Sequence, residues 1–423
     1  MKRFLVHGNI CHSPTPDRIE TLEQGWLVVE DGVCRGIFPV LPEAWRGLPV
    51  EDFGDRLILP GMTDLHVHAP QFSFRGLGMD LELMDWLNTY TFPEEAKYRD
   101  LAYADRAYEI FARHLRGSVT TRACIFATIH VPATELLMER LEDTGLITLV
   151  GKVNMDRNSP DNLRETSAAA SLRETERWIL ESRDRYARTG LILTPRFIPA
   201  CSDELMRGLK ELQRRYDLPV QSHLSENLGE VRLVEELCPE ADFYGDAYDR
   251  FGLFGGDHRC IMAHCVHSGP EEIARMKRNG VWIAHSPESN MNLSSGVAPA
   301  AEYLRQGLHV GLATDLAAGS HVNMLRAVMH AVQASKLRWR LMDQSVPALT
   351  VDQAFYLATM GGGSFFGKVG CFNEGYAFDA VVLDDTNLEH PQPLPLRSRV
   401  ERAVYLADNR NLTAKYVAGA RIF

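Results

Sequence analysis

A chain of 423 residues with 45% hydrophobic and 24% charged residues has the make-up of a globular enzyme with room for a large core. Its formal net charge of -11 argues against a phosphate-binding surface, leaving a small nucleobase or nucleoside open as substrate. No apolar run approaches the roughly 20 residues that cross a bilayer, no signal-type apolar region follows Met1-Lys2-Arg3, and eight scattered cysteines lack any Cys-x-x-Cys pair, so a cytoplasmic location is expected.

Residues 1 to about 58 read as short strands at 3–7, 25–30 and 33–38, the last two joined by the hairpin signal Glu30-Asp31-Gly32. The other end reads alike, with strands at 377–383, 400–406 and 414–417 and a turn at Asp408-Asn409-Arg410-Asn411. Neither end buries much alone. The two are expected to pair into one small β-sandwich domain, segments 1–58 and 376–423, with residues 59–375 inserted between them.

Within the insert, apolar runs lead to 64–66, 120–126, 147–153, 191–197, 219–223, 260–264, 281–285 and 310–315. Helical patterns lie between them at 94–116, 134–144, 163–188, 203–216, 226–237, 270–279 and 298–306, with another at 323–337. Eight such repeats predict an α/β fold, a parallel (β/α)8 TIM-type barrel, whose typical size is about 250 residues. An open doubly wound sheet is the alternative, but no Gly-rich dinucleotide turn follows any strand.

The most informative stretch runs from Leu57 to Gln71. An apolar run enters the Pro60-Gly61 corner, and the next strand ends in His66-Val67-His68. Residues two apart on a strand face the same way, so these imidazoles project together, as a shared metal requires. A bare His-x-His also fits two ordinary half-buried histidines, and the other strand ends separate the readings. They supply Arg196 and Phe197, His223, His264, His285 and Asp315. Barrel chemistry gathers at C-terminal strand ends, and ionisable groups there are costly to bury without a common partner. Three histidines and a carboxylate with one open position make a hydrolytic metal site.

These motifs resemble those of a known family. Pro60-Gly61-Met62-Thr63-Asp64-Leu65-His66-Val67-His68, His223-Leu224-Ser225-Glu226, Ala263-His264-Cys265-Val266-His267 and Thr314-Asp315 look like the strand-end motifs of the amidohydrolase superfamily. Within it, Ala69-Pro70-Gln71, Trp86-Leu87-Asn88-Thr89-Tyr90-Thr91-Phe92-Pro93, Thr194-Pro195-Arg196-Phe197 and His285-Ser286-Pro287-Glu288-Ser289-Asn290 resemble the guanine deaminase family. The resemblance covers about residues 57–376. It implies one zinc ion per chain, bound by His66, His68, His223 and Asp315, with His264 beside it as a further ligand or a water-orienting group. Two-metal members carry a bridging lysine after strand four. Here that strand ends in Thr194-Pro195-Arg196-Phe197, so one metal is expected, and Lys152 reads as structural. A homodimer, and guanine as small-molecule substrate in purine catabolism, are also implied, with no nucleic-acid or membrane partner.

The expected reaction is hydrolytic deamination. Zinc lowers the pKa of water to about 7, Asp315 accepts the water proton, Glu226 protonates the ring nitrogen beside the attacked carbon, and His264 orients the hydroxide. Arg196 offers only donors, which suits the O6 and N7 acceptors of guanine and repels the amino group of adenine. His68, Gln71, Trp86, Phe197 and Glu226 complete the expected substrate contacts. His285 falls near the pocket, while His267, His321 and Asn290 read as ordinary polar residues, and His114, His130, His258, His309 and His330 as structural or exposed. Competing readings are a related hydrolase of 8-oxoguanine, a pterin or a triazine, and a barrel that has lost catalysis. The His-x-Glu and Pro-Cys-x-x-Cys signature of nucleic-acid-editing deaminases is absent.

Overall fold

The computed structural model describes residues 3–423; the basic start Met1-Lys2 lies outside them. Both chain ends build one seven-stranded sheet, in the order Ala420–Arg421, Leu412–Val417, Ala380–Leu383, Val50–Pro60, Arg3–Thr15, Arg18–Glu30, Val33–Phe38. Val50–Pro60 is the join. It runs parallel to Arg3–Thr15 and antiparallel to Ala380–Leu383, placing Ile58 opposite Ile10 on one side and Val382 on the other. The edge strand Val33–Phe38 then returns to the C-terminal segment, through a bridge from Val33 to Ala377 and the bond from Cys34 N to Tyr376 O at 2.8 Å. Gly32 permits that return: its φ is +80°, and a Cβ there would lie 2.4 Å from Ala418 O. Phe4, Leu27, Phe53, Phe378 and Tyr416 share one apolar cluster, so both ends contribute to the same small core. Strands from both chain ends thus pair in one continuous seven-stranded ladder.

The strand predicted at 400–406 is corrected to a helix, Leu396–Leu406. Its buried residues Leu396, Val400, Ala403 and Val404 recur at helical spacing and cover one face, which outweighs the strand preference of two valines. The helix predicted from 94 starts later, at Leu101–Arg116, because Asp100 caps the N–H groups of Ala102 and Tyr103. The preceding short turns, Phe92–Glu95 and Ala96–Arg99, carry Glu95 inward.

The central chain holds two four-stranded parallel sheets. One pairs Met62–His68, Thr120–Phe126, Ile147–Gly151 and Thr189–Leu191; the other pairs Val220–Leu224, Cys260–His264, Trp282–His285 and His309–Leu312. Backbone bonds cross both seams between them. Leu193 N donates to Pro219 O and Gln221 N to Leu193 O on one side, each at 2.9 Å. On the other, Asp315 N donates to His66 O at 2.9 Å and His68 N to Leu316 O at 3.1 Å. Leu65, Cys124, Ile192, Ile261, Ala284 and Ala313, from strands or strand ends of both sheets, meet in a single buried cluster. Every strand that ends in a predicted site residue points that end toward one place.

Candidate metal centre and active site

The strand Met62–His68 is buried at every position, and its alternation sends His66 and His68 to the same side. Their Nε2 atoms lie 3.2 Å apart, and His68 Nε2 lies 3.2 Å from His223 Nε2. Asp315, on the turn after His309–Leu312, places Oδ1 at 3.1 Å from His66 Nε2 and 3.6 Å from His68 Nε2. His264 brings Nε2 to 3.7 Å from Asp315 Oδ2 and 3.5 Å from Glu226 Oε2. His264 and Asp315 hold left-handed backbone, at φ 73° and 45°, which L residues adopt at a cost and which is common at functional sites.

The donor set fits a cation. His223 Nδ1 sits 2.6 Å from Arg196 O, an acceptor only, so Nδ1 carries the hydrogen and Nε2 is a bare lone pair. His264 is fixed likewise, with Nδ1 at 2.9 Å from Asn290 Oδ1, and its Nε2 has no hydrogen-bond partner among the described residues. Burial holds His66, His68 and His223 below the usual imidazole range, which keeps these rings neutral. Three ring nitrogens and a carboxylate oxygen so close together form a donor set that a cation between them would satisfy. Four ligands at about 2.0–2.2 Å around a tetrahedral ion stand roughly 3.3–3.6 Å apart, close to the separations seen here.

The carboxylates divide in character. Burial pushes Asp315 up, but His66, His264 and His68 outweigh it and hold its carboxyl well below the ordinary range. Burial pushes Glu226 the other way, well above its ordinary value, and the nearby Glu230 and Asp315 add to the shift. The two carboxyls are shifted in opposite directions within one site, the pattern that separates a base from an acid.

A narrow cavity opens on this cluster. His68, His223, His264 and Asp315 form its floor with Glu226, and Gln71, Trp86, Arg196 and Phe197 line it as well. His66 is buried behind them. Trp86 donates Nε1–H to Leu77 O at 3.1 Å, which fixes its ring against the cavity. Glu226 precedes the helix Leu228–Leu237 instead of starting it, because Asn227 is the cap. Lys152 is fully buried against Glu165 and Ser171, in line with a structural role. His267 donates Nε2–H to Ser295 O at 2.7 Å, and His285 is buried nearby.

Several groups that shape the site were assigned no role in it from the sequence. Asp64 accepts from Thr314 N at 3.0 Å, from Thr314 Oγ1 at 2.5 Å and from His66 N at 3.3 Å, tying the first strand to the last. Asn290 orients His264, Glu230 lines the cavity beside Glu226, and Glu95 holds Arg196 and Gln71. Asn290 was expected to be an ordinary polar residue, whereas its oxygen selects the tautomer of His264.

The sequence model of the amidohydrolase family matches residues 57–422. Guanine deaminase of Dictyostelium discoideum is 38% identical, over 99% of this chain and 98% of its own. Guanine deaminase of Escherichia coli strain K12 is 34% identical, over 88% of this chain and 84% of its own. Among solved structures, guanine deaminase from C. acetobutylicum with guanine bound in the active site superposes with a TM-score of 0.96 at 45% identity, covering 100% of both chains. The chain belongs to the amidohydrolase family, and its similarity runs to the guanine deaminases within it.

Proposed function

We propose that the protein is a metal-dependent guanine deaminase that converts guanine and water into xanthine and ammonia. The observation that carries this is a single cavity with converging histidines and Asp315 at one end and the donor-only side chain of Arg196 in the same wall. In this reading His66, His68, His223 and Asp315 hold one zinc ion, with His264 beside it. The bound ion would lower the pKa of water so that hydroxide is available near neutral pH.

The chain's own groups then divide the proton work. Asp315, kept ionised, takes a proton from the water whose oxygen bonds to C2 of the ring. Glu226, kept protonated, gives its proton to N3, so negative charge does not build up on the base. His264, fixed by Asn290, points its Nε2 at the attacking oxygen. The proton on Asp315 passes to the 2-amino group, the C2–N bond breaks and ammonia leaves, while the proton of the C2 hydroxyl returns to Glu226 as the C2 oxo group forms. Arg196 and Phe197 hold the far part of the base, and Leu83, Leu87 and Leu293 exclude water around it.

The same reading includes a closed (β/α)8 barrel over residues 59–375 and a small β-sandwich domain from 1–58 and 376–423. The backbone bonds across both sheet seams support the first, and the return of Val33 to Ala377 supports the second. Among the described residues no helix is long and apolar enough to cross a membrane. A homodimer in the cytoplasm follows the family resemblance, and the exposed Leu337, Trp339, Leu341 and Met342 support an apolar face for a second copy.

The test is ammonia release by metal-quantified protein given guanine, 8-oxoguanine, adenine and a pterin in parallel. Guanine turned over fastest, with about one zinc per chain, supports the proposal. Another compound turned over fastest would keep the metal centre and overturn the substrate; bound metal with no turnover of any would overturn guanine deamination and point to a substrate outside this panel.

A further inference from the structure

Behind the cavity wall, Glu95 joins two residues that face the substrate. Its Oε2 accepts from Arg196 Nη1 at 2.6 Å and its Oε1 from Gln71 Nε2 at 3.0 Å. All three are buried, at 1%, 4% and 2% exposure for Glu95, Arg196 and Gln71. Glu95 itself does not line the cavity; the other two do. Phe92, one turn earlier, places its ring 5.2 Å from the Arg196 guanidinium carbon, so the same short helix grips Arg196 twice.

This arrangement fixes what Gln71 can offer. An amide has a donor end and an acceptor end, and in isolation could present either. Here Oε1 accepts from Ala317 N at 3.2 Å while Nε2 donates to Glu95. Turning the amide over would set its oxygen against a carboxylate and its NH2 against a main-chain N–H, losing both bonds and adding two repulsions. The second hydrogen on Nε2 is left for the cavity, while Oε1 stays turned to the main chain of Ala317. Arg196 likewise spends one N–H on Glu95 and keeps the rest, all donors.

We infer that Glu95 is a specificity-determining positioning residue: it locks Gln71 and Arg196 into a donor-only wall that selects a purine carrying an acceptor, an oxo group, at the ring position away from the attacked carbon. A 6-amino purine would point N–H at N–H and be rejected, because a site built for hydrogen bonding discriminates strongly against a partner that leaves its buried groups unpaired. This rests on the proposed deaminase reading and deepens it by naming the substrate class.

The test compares guanine, 2,6-diaminopurine and 2-aminopurine, which share the 2-amino leaving group and differ at position 6. Each is assayed with the parent protein, Glu95→Gln and Glu95→Asp, with metal content and circular dichroism recorded for all three proteins. The parent should prefer guanine over 2,6-diaminopurine by at least about 10²-fold in kcat/KM. Glu95→Gln, whose amide can donate as well as accept, should cut that ratio at least tenfold, mainly through a higher KM for guanine, while 2-aminopurine loses less than guanine does. Glu95→Asp keeps the charge but is one methylene shorter, and should raise the KM for guanine while holding most of the preference. A ratio unchanged in a folded, metal-replete Glu95→Gln overturns the inference. Should that variant fail to fold, an unchanged guanine KM in Glu95→Asp overturns it instead. A parent that turns over none of the three purines overturns the deaminase reading, a separate outcome.

Discussion

The main-chain carbonyl of Arg196 accepts the Nδ1 hydrogen of His223 at 2.6 Å, while the guanidinium of the same residue lines the cavity. One residue therefore orients a candidate metal ligand through its backbone and lines the candidate substrate cavity through its side chain. The two roles separate on mutation. Arg196→Ala should keep the parent's metal content, because the carbonyl survives, and should lose about 10²-fold or more in kcat/KM for guanine, the equivalent of about 3 kcal/mol of charged hydrogen bonding. Metal analysis beside guanine kinetics decides it; loss of metal together with activity would show that the two roles are not separable.

Glu226 stands apart from the converging imidazoles, with Oε2 at 3.5 Å from His264 Nε2 and Oε1 accepting from Ser295 Oγ at 3.4 Å. Glu226→Gln preserves shape and hydrogen-bonding reach but cannot deliver a proton. Turnover should fall by about 10²–10⁴-fold, with metal content unchanged. Near-normal kcat in a metal-replete variant would remove Glu226 from acid catalysis.

Asn290 offers a milder perturbation. Its Oδ1 holds His264 Nδ1–H, and its own Nδ2 has no partner among the described residues, so the amide is anchored on the histidine side only. Asn290→Ala frees His264 to change tautomer and tilt. Loss of an outer hydrogen bond of this kind costs about 10–100-fold in activity or metal affinity. Asn290→Asp, which keeps the acceptor, should recover most of the loss; equal defects in both variants would point to a packing role for Asn290.

The half of the candidate site where the histidines converge was legible because each of its members lies at the end of an apolar strand. His66 and His68 follow from the two-residue period of one strand, and His223, His264 and Asp315 from the rule that barrel chemistry sits at strand ends. What holds those groups was not legible. Glu95 meets Arg196 across 101 positions and Asp64 meets Thr314 across 250, separations fixed by tertiary approach and invisible to any local pattern. The misread strand at 400–406 had a different cause. Its helical spacing begins at Leu396, before the window of β-branched residues, so the period shows only when the segment is taken from Pro395 onward.

A buried ion pair joins the central chain to the terminal sheet. Arg122, on Thr120–Phe126, donates Nε–H to Asp379 Oδ2 at 2.6 Å and Nη2–H to Oδ1 at 3.2 Å, and Ala418 N donates to the same Oδ1 at 2.7 Å. Asp379→Ala leaves the Arg122 cation buried without its partner and should lower stability by about 3–5 kcal/mol. Arg122→Met with Asp379→Leu, which removes both charges, should be considerably less harmful than the single change. Urea unfolding of the three proteins checks the order; a double variant as unstable as Asp379→Ala would assign the loss to the Ala418 bond.

Lys415 is fully buried, with Nζ donating to Thr120 O at 2.9 Å and to Leu115 O at 3.4 Å. Burial, with Arg116 adding to it, holds its amine well below the usual lysine range. The unfolded chain carries this amine with a pKa of about 10.4. Between the lower folded value and about 10.4 the unfolded state binds the extra proton, so stability rises with pH across that window, by about 1.4 kcal/mol per pH unit. Lys415→Met has no such term. Its stability relative to the parent should therefore improve as pH falls from 10 toward 8.5, whatever the loss of two hydrogen bonds does to the absolute value. Parallel urea melts of both proteins at the two pH values measure the difference directly, and a gap that stays constant would mean that the folded protein keeps Lys415 protonated and pairs the charge with those two carbonyls.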